Sequence, residues 1–143
     1  MLDNNASVRE CSCRSGDGGG ILAEENSVIM LTDRAAISQC EASIGSGGGV
    51  SITSGSRLLI VGLGASITQS SALLHGGGVF VNSTGSALVR GTVSIANNVA
   101  KQGDGGGACA RYRFSVRSNV TSVSFPSRSK RFFRYEYELF ICG

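Results

Sequence analysis

Gly18-Gly19-Gly20, Gly47-Gly48-Gly49, Gly76-Gly77-Gly78 and Gly105-Gly106-Gly107 fall at a constant interval: 47 − 18, 76 − 47 and 105 − 76 all equal 29. Ile21, Val50, Val79 and Ala108 follow the four triplets. A fixed period of this length marks a repeat architecture. With 143 residues the chain has room for one domain, better described as a quasi-linear array than as a globule. The 21 glycines come with a single proline, and they separate Val/Ile/Leu runs as the glycines of a disordered segment would not.

Working outward from the triplets, one phrase precedes each of them. It reads Val8-Arg9-Glu10-Cys11-Ser12-Cys13, then Ile37-Ser38-Gln39-Cys40-Glu41-Ala42, Ile67-Thr68-Gln69-Ser70-Ser71-Ala72 and Ile95-Ala96-Asn97-Asn98-Val99-Ala100. The third copy starts one residue late, and a loop one residue shorter restores the spacing. Such compensation belongs to a geometric unit. Three short strands per unit are predicted. The first follows the glycines, with Ile21/Ala23, Val50/Ile52 and Val79/Val81 on one face, because strand side chains alternate. The second is Ser27–Leu31, matched by Ser56–Ile60 and Ser86–Val89, and the third is the phrase itself. Glu24-Glu25-Asn26, Thr53-Ser54-Gly55 and Asn82-Ser83-Thr84-Gly85 supply turns.

Strands this short bury a face only by stacking unit on unit, each pairing with its counterpart about 4.8 Å above and below. A parallel three-faced coil with the triplets along one corner is therefore expected. Gly tolerates φ > 0 and backbone crowding there. Like residues then form ladders. Gln39, Gln69 and Asn97 align at one turn position, where amide side chains can hydrogen-bond up the stack, Ala42, Ala72 and Ala100 align as a small inward step, and Cys11 stacks on Cys40. The two cysteines admit either a disulfide or an unbonded ladder.

The pattern [Ile/Val]-x-x-[Asn/Cys/Ser]-x-[Ala/Cys], a short loop and Gly-Gly-Gly-[Ile/Val] resembles right-handed parallel β-helix repeats of pectin-lyase-like architecture. More narrowly, it is similar to the polymorphic outer membrane protein and adhesin-passenger type, with Ile95-Ala96-Asn97-Asn98 nearest that group's Phe-x-x-Asn phrase. The resemblance covers roughly residues 8–110. It implies an all-β solenoid of about four coils, displayed on a surface or secreted, with a structural or adhesive role.

Two regions are expected: repeats over 1–110 and a degenerate basic tail over 111–143. Residues 1–107 hold six Lys/Arg against eight Asp/Glu, and residues 108–143 seven against two, within a net charge of +3. A basic tail can bind nucleic acid or anionic lipid, but this one reads as a solvated or mistranslated end. Val120–Phe125 reads as a worn strand interrupted by Pro126, and Phe133–Ile141 alternates as a strand would. That last segment is either a cover for the final coil or an out-of-frame end. The opening repeat begins mid-pattern, so the natural N-terminus is expected to lie upstream. No apolar run approaches the roughly 20 residues of a membrane span.

Chemistry is sparse. No catalytic, cofactor-binding or metal-ligating residues are assigned, and no cofactor is expected. The five cysteines (11, 13, 40, 109, 142) lack C-x-x-C spacing. His75, the sole histidine, occupies a position held elsewhere by Asp17, Ser46 and Asp104, and reads as a variable loop residue. Asp17 and Asp104 lack the nine-residue period of calcium-binding glycine repeats. Polysaccharide lyases and hydrolases need clustered carboxylates. Glu24 and Glu25 diverge in an extended chain, while Asp33 and Glu41 lie on other segments. A non-enzymatic segment meeting glycans, other proteins or neighbouring coils is the leading expectation, and a truncated carbohydrate-active enzyme the alternative. Sequons at Asn5, Asn82 and Asn119 permit glycosylation.

Overall fold

The computed structural model describes residues 1–111, 113–117, 122–123 and 137–138. Every regular element among them is a strand: β1 (Ser7–Arg9), β2 (Ser12–Cys13), β3 (Ile21–Ala23), β4 (Val28–Thr32), β5 (Ala36–Ser38), β6 (Glu41–Ala42), β7 (Val50–Ile52) and β8 (Arg57–Thr68), followed by β9 (Ser71–Ala72), β10 (Val79–Val81), β11 (Ser86–Ala96), β12 (Val99–Ala100), β13 (Ala108–Ala110), β14 (Arg113–Arg117), β15 (Ser122–Val123) and β16 (Tyr137–Glu138). Strands one coil apart pair in parallel. Ile21, Val50, Val79 and Ala108 stack in β3, β7, β10 and β13, at the same constant step as the triplets. The result is a parallel β-solenoid of about four turns.

Three sheets run along its axis. β3-β7-β10-β13 form one, β2-β6-β9-β12 a second, and β1, β4, β5, β8, β11, β14, β15 and β16 the third and broadest. Each coil holds four strand segments, not three, because the Ile/Val phrase breaks in the middle. Glu10, Gln39, Gln69 and Asn97 all adopt left-handed φ between 54° and 56°, turning the chain between β5 and β6 and at the matching points. Gln39, Gln69 and Asn97 align at this turn position. Gln39, Gln69 and Asn97 are thrown outward and exposed, while the next residue (Cys40, Ser70, Asn98) points in and is buried.

The core follows from the alternation. Ala23, Val50, Ile52, Val79 and Val81 face in from the first sheet, Leu31, Leu58, Ile60 and Val89 from β4, β8 and β11, and Ile37, Ile67 and Ile95 from beyond the next corner. Ala42 and Ala72 are fully buried, as the expected small step, and Ala100 is half-buried. Every one of these layers is apolar, so stacking removes from water what a single coil would expose.

At the glycine corner the physics is different. The first residue of each triplet is left-handed, with φ of 70°, 70°, 59° and 73° at Gly18, Gly47, Gly76 and Gly105. In a strand successive N–H groups alternate sides, but here consecutive ones point the same way. Gly18, Gly19 and Gly20 donate to the carbonyls of Ser46, Gly47 and Gly48 at 2.9–3.1 Å, and Gly47, Gly48 and Gly49 donate in turn to His75, Gly76 and Gly77. A Cβ on the middle glycine has no space. At Gly48 it would overlap the carbonyls of Ser71 and Gly77.

The compensated extra residue is visible in the register. Thr32 pairs with Val61 at the common step, but the partner of Ala36 is Ser66, one position further along than that step would reach. Coil two therefore carries an additional residue at a corner where its neighbours do not, and it absorbs it as Gly62-Leu63-Gly64-Ala65. Gly64 (φ 107°) takes a conformation that L-residues avoid, and Leu63 is pushed outward, 75 % exposed. Pairing with β11 runs into the bend through Gly62 and Leu63 and resumes at Ser66, so the two predicted strands on either side merge into β8. The register with β11 shifts at the same place, between Thr92 and Ser94.

Past Ala110 the strands continue. Arg113–Arg117 pair in parallel with Ser86–Arg90, and Ser122–Val123 with Ser94–Ile95. Tyr137–Glu138 pair antiparallel with Val116 and Ser115, laying a strand of opposite direction on β14. The rest of the Val120–Phe125 and Phe133–Ile141 segments, with Pro126, lies outside the described residues.

Candidate functional site

Several of the side chains able to do chemistry bind the next coil. At the position just before each triplet, three different residue types do the same work. Asp17 Oδ1 accepts from Ser46 N–H at 2.6 Å, Ser46 Oγ accepts from His75 N–H at 3.3 Å, and His75 Nδ1 accepts from Asp104 N–H at 3.1 Å. The sequence shows this position only as variable and polar. Its common property is an acceptor of the right reach, which Asp, Ser and neutral His all supply.

His75 is held on two further sides. Its ring stacks on Phe80 with centroids 5.9 Å apart and planes inclined by 19°, and Nε2 lies 3.0 Å from Nη2 of Arg111. The Arg111 guanidinium also covers the Phe80 ring, 5.8 Å from its centroid. Phe80 points away from the core by alternation, yet it is buried beneath these two groups. Arg111 and His75 are distant in sequence, and only the coil geometry brings them together.

A second ladder runs inside the opposite corner. Cys40 N–H donates to Ser70 Oγ at 3.3 Å, Ser70 N–H donates to Asn98 Oδ1 at 2.9 Å, and Asn98 Nδ2 donates to the Ile67 carbonyl at 2.9 Å. Buried polar groups here find partners in the adjacent coil. Cys11 and Cys40 stand at this position as free thiols, the unbonded of the two alternatives, each with its sulfur 3.3 Å from the carbonyl two residues earlier. Burial pushes the Cys40 thiol above its ordinary value.

The carboxylates are scattered. Glu24 and Glu25 are exposed in the turn after β3, where Glu25 adopts φ 57°, and Asp33 (φ 52°) sits at the corner between β4 and β5. Glu41 pairs with Lys101 at 2.5 Å, two coils up, with both side chains nearly half exposed. Among the described residues, no group of three or more His, Cys, Asp or Glu side chains is placed to hold a metal ion. A cleft of about 370 Å³ lies beside the Asp33 corner, lined by Asn4, Asn5, Asp33, Arg34 and Leu63. It contains one carboxylate and no partner for acid/base work. Among the described residues no helix is long and apolar enough to cross a membrane.

Compared with family models, curated proteins and solved structures, the chain finds no significant match.

Proposed function

We propose that the chain is a non-enzymatic, surface-displayed or secreted β-solenoid segment with a structural and adhesive role, of the polymorphic outer membrane protein or adhesin-passenger type. One observation carries the reading. Asp17, Ser46, His75, Ser70 and Asn98 bond one coil to the next and Glu41 is paired with Lys101 two coils up, while Glu24, Glu25 and Asp33 stand apart from one another at separate turns. What varies from coil to coil is the corner turns: Glu24-Glu25-Asn26, Thr53-Ser54-Gly55 and Asn82-Ser83-Thr84. A rigid stack holding different polar turns at a fixed rise suits multivalent contact with surface glycans or other proteins. Fold alone does not confer the polysaccharide chemistry found on other solenoids.

Two measurements test this. Incubation with pectate, alginate and related uronate polymers, with and without calcium, should give no turnover above buffer. Binding to immobilised glycans or cell-surface proteins should be measurable and should fall when the 53–55 and 82–84 turns are exchanged for other polar turns. Turnover abolished by changing Glu24, Asp33 or Glu41 would replace the adhesive reading with an enzymatic one.

A further inference from the structure

The outer face of the broad sheet carries a charge pattern that the corner turns do not. Side chains of β4, β8 and β11 alternate, and the register fixes which of them share the outside. Met30, Leu59 and Leu88 stack directly on one another as an apolar stripe along the axis. On one side of it stand Val28, Arg57 and Ser86, and on the other Thr32, Val61 and Arg90, again in direct register. Val28 is 61 % exposed, Arg57 and Arg90 are exposed, and the stripe itself is half-buried. In β14 the register positions beside Ser86 and Arg90 are Arg113 and Arg117. The four runs Val28–Thr32, Arg57–Ile60 with Val61, Ser86–Arg90 and Arg113–Arg117 contain four arginines and no carboxylate, and Glu138 of β16, in register with Ser115, ends the row that Met30, Leu59 and Leu88 begin.

We propose that this face is a docking surface for an anionic phospholipid membrane. Apolar side chains flanked on both sides by arginine match the headgroup boundary, where phosphates lie above acyl chains. Guanidinium groups pair with phosphate oxygens, and their stems lie along apolar surface. The stripe is a direct in-register stack of half-buried side chains, and the nearby cleft at Asp33 lies off the face, at the corner. The face is therefore shaped to meet a surface rather than to enclose a peptide. Leu63, 75 % exposed at the adjoining corner, adds an apolar projection on the same flank. The proposal is independent of the adhesive reading, which concerns the corner turns.

The test is co-sedimentation of the full chain with phosphatidylcholine vesicles, with and without phosphatidylserine. Binding is expected only to the vesicles containing phosphatidylserine, and it should weaken as salt is raised. The double variant Arg57→Gln/Arg90→Gln should bind about thirtyfold more weakly, and Leu88→Ser should also weaken binding. Arg9→Gln, on β1 and beyond the Gly62–Ala65 bend from the stripe, should not. All four side chains point outward, so circular dichroism should show the same folded state for each variant. Equal binding to neutral vesicles, no binding to either, or an equal loss in Arg9→Gln would overturn the proposal. So would binding of poly-glutamate without binding of vesicles, which would assign the face to an acidic protein partner.

Discussion

Gly48 shows how little freedom a single residue has in this molecule. Its N–H is committed to Gly76 above, its carbonyl to Gly20 below, and the space a Cβ needs is filled by backbone. Backbone cannot move aside as a side-chain tip can. Gly48→Ala should therefore lose about 3 kcal/mol or more in urea denaturation, whereas Gly16→Ala, which meets only the Cys13 sulfur at 3.6 Å, should stay within about 0.5 kcal/mol. Cys40 gives a second residue-scale expectation. Its thiol is raised by burial, so at a fixed mildly alkaline pH it should alkylate more slowly than Cys13, as mass mapping of partly modified chains would show. The sign follows for stability. A raised folded-state value favours the neutral thiol, so the contribution is present below the ordinary thiol range and lost as pH rises through the raised value. The triplets were legible at this scale because only glycine fits both demands. The acceptor ladder through Asp17, Ser46 and His75 was not, because three residue types share nothing but an oxygen or nitrogen at the right reach.

At the scale of elements, β8 is the instructive case. Gly62 and Gly64 look like breakers between two strands, and alone they would be. In the stack they let an extra residue leave the ladder without ending it. Deleting Leu63 would give coil two the shorter corner of its neighbours. The shortened chain should fold with a melting temperature within a few degrees of the parent, as thermal denaturation followed by circular dichroism would show. Deletion of Ile60, which shifts inward-facing residues out of phase, should abolish cooperative unfolding. The first strand of each unit was readable from alternation, and so was the second. The break inside the third shows in the sequence only as the aligned turn position of Gln39, Gln69 and Asn97, because Gln there takes a left-handed conformation that composition assigns more readily to Gly or Asn.

For the whole molecule, the geometry leaves one end polar in backbone and apolar in side chain. β1, β2 and β3 each end their sheet, and Leu2, Val8, Cys11, Ile21 and Ile29 are only half-buried where their counterparts one coil up, such as Ile37, Cys40, Val50 and Leu58, are covered. Unpaired parallel edges template further pairing. The 143-residue chain on its own should show concentration-dependent association in sedimentation velocity, and Val8→Lys should reduce it. A sharp, concentration-independent monomer would remove the open-edge argument. Residues one repeat apart pair in parallel throughout the coils. Interstrand nuclear Overhauser contacts on the native chain test this pairing directly. Backbone contacts should link Met30 to Leu59, Leu59 to Leu88, and Gly48 to Gly77 across the corner. Close α-proton pairs between neighbouring strands within one repeat, the mark of antiparallel hairpins, would contradict the account.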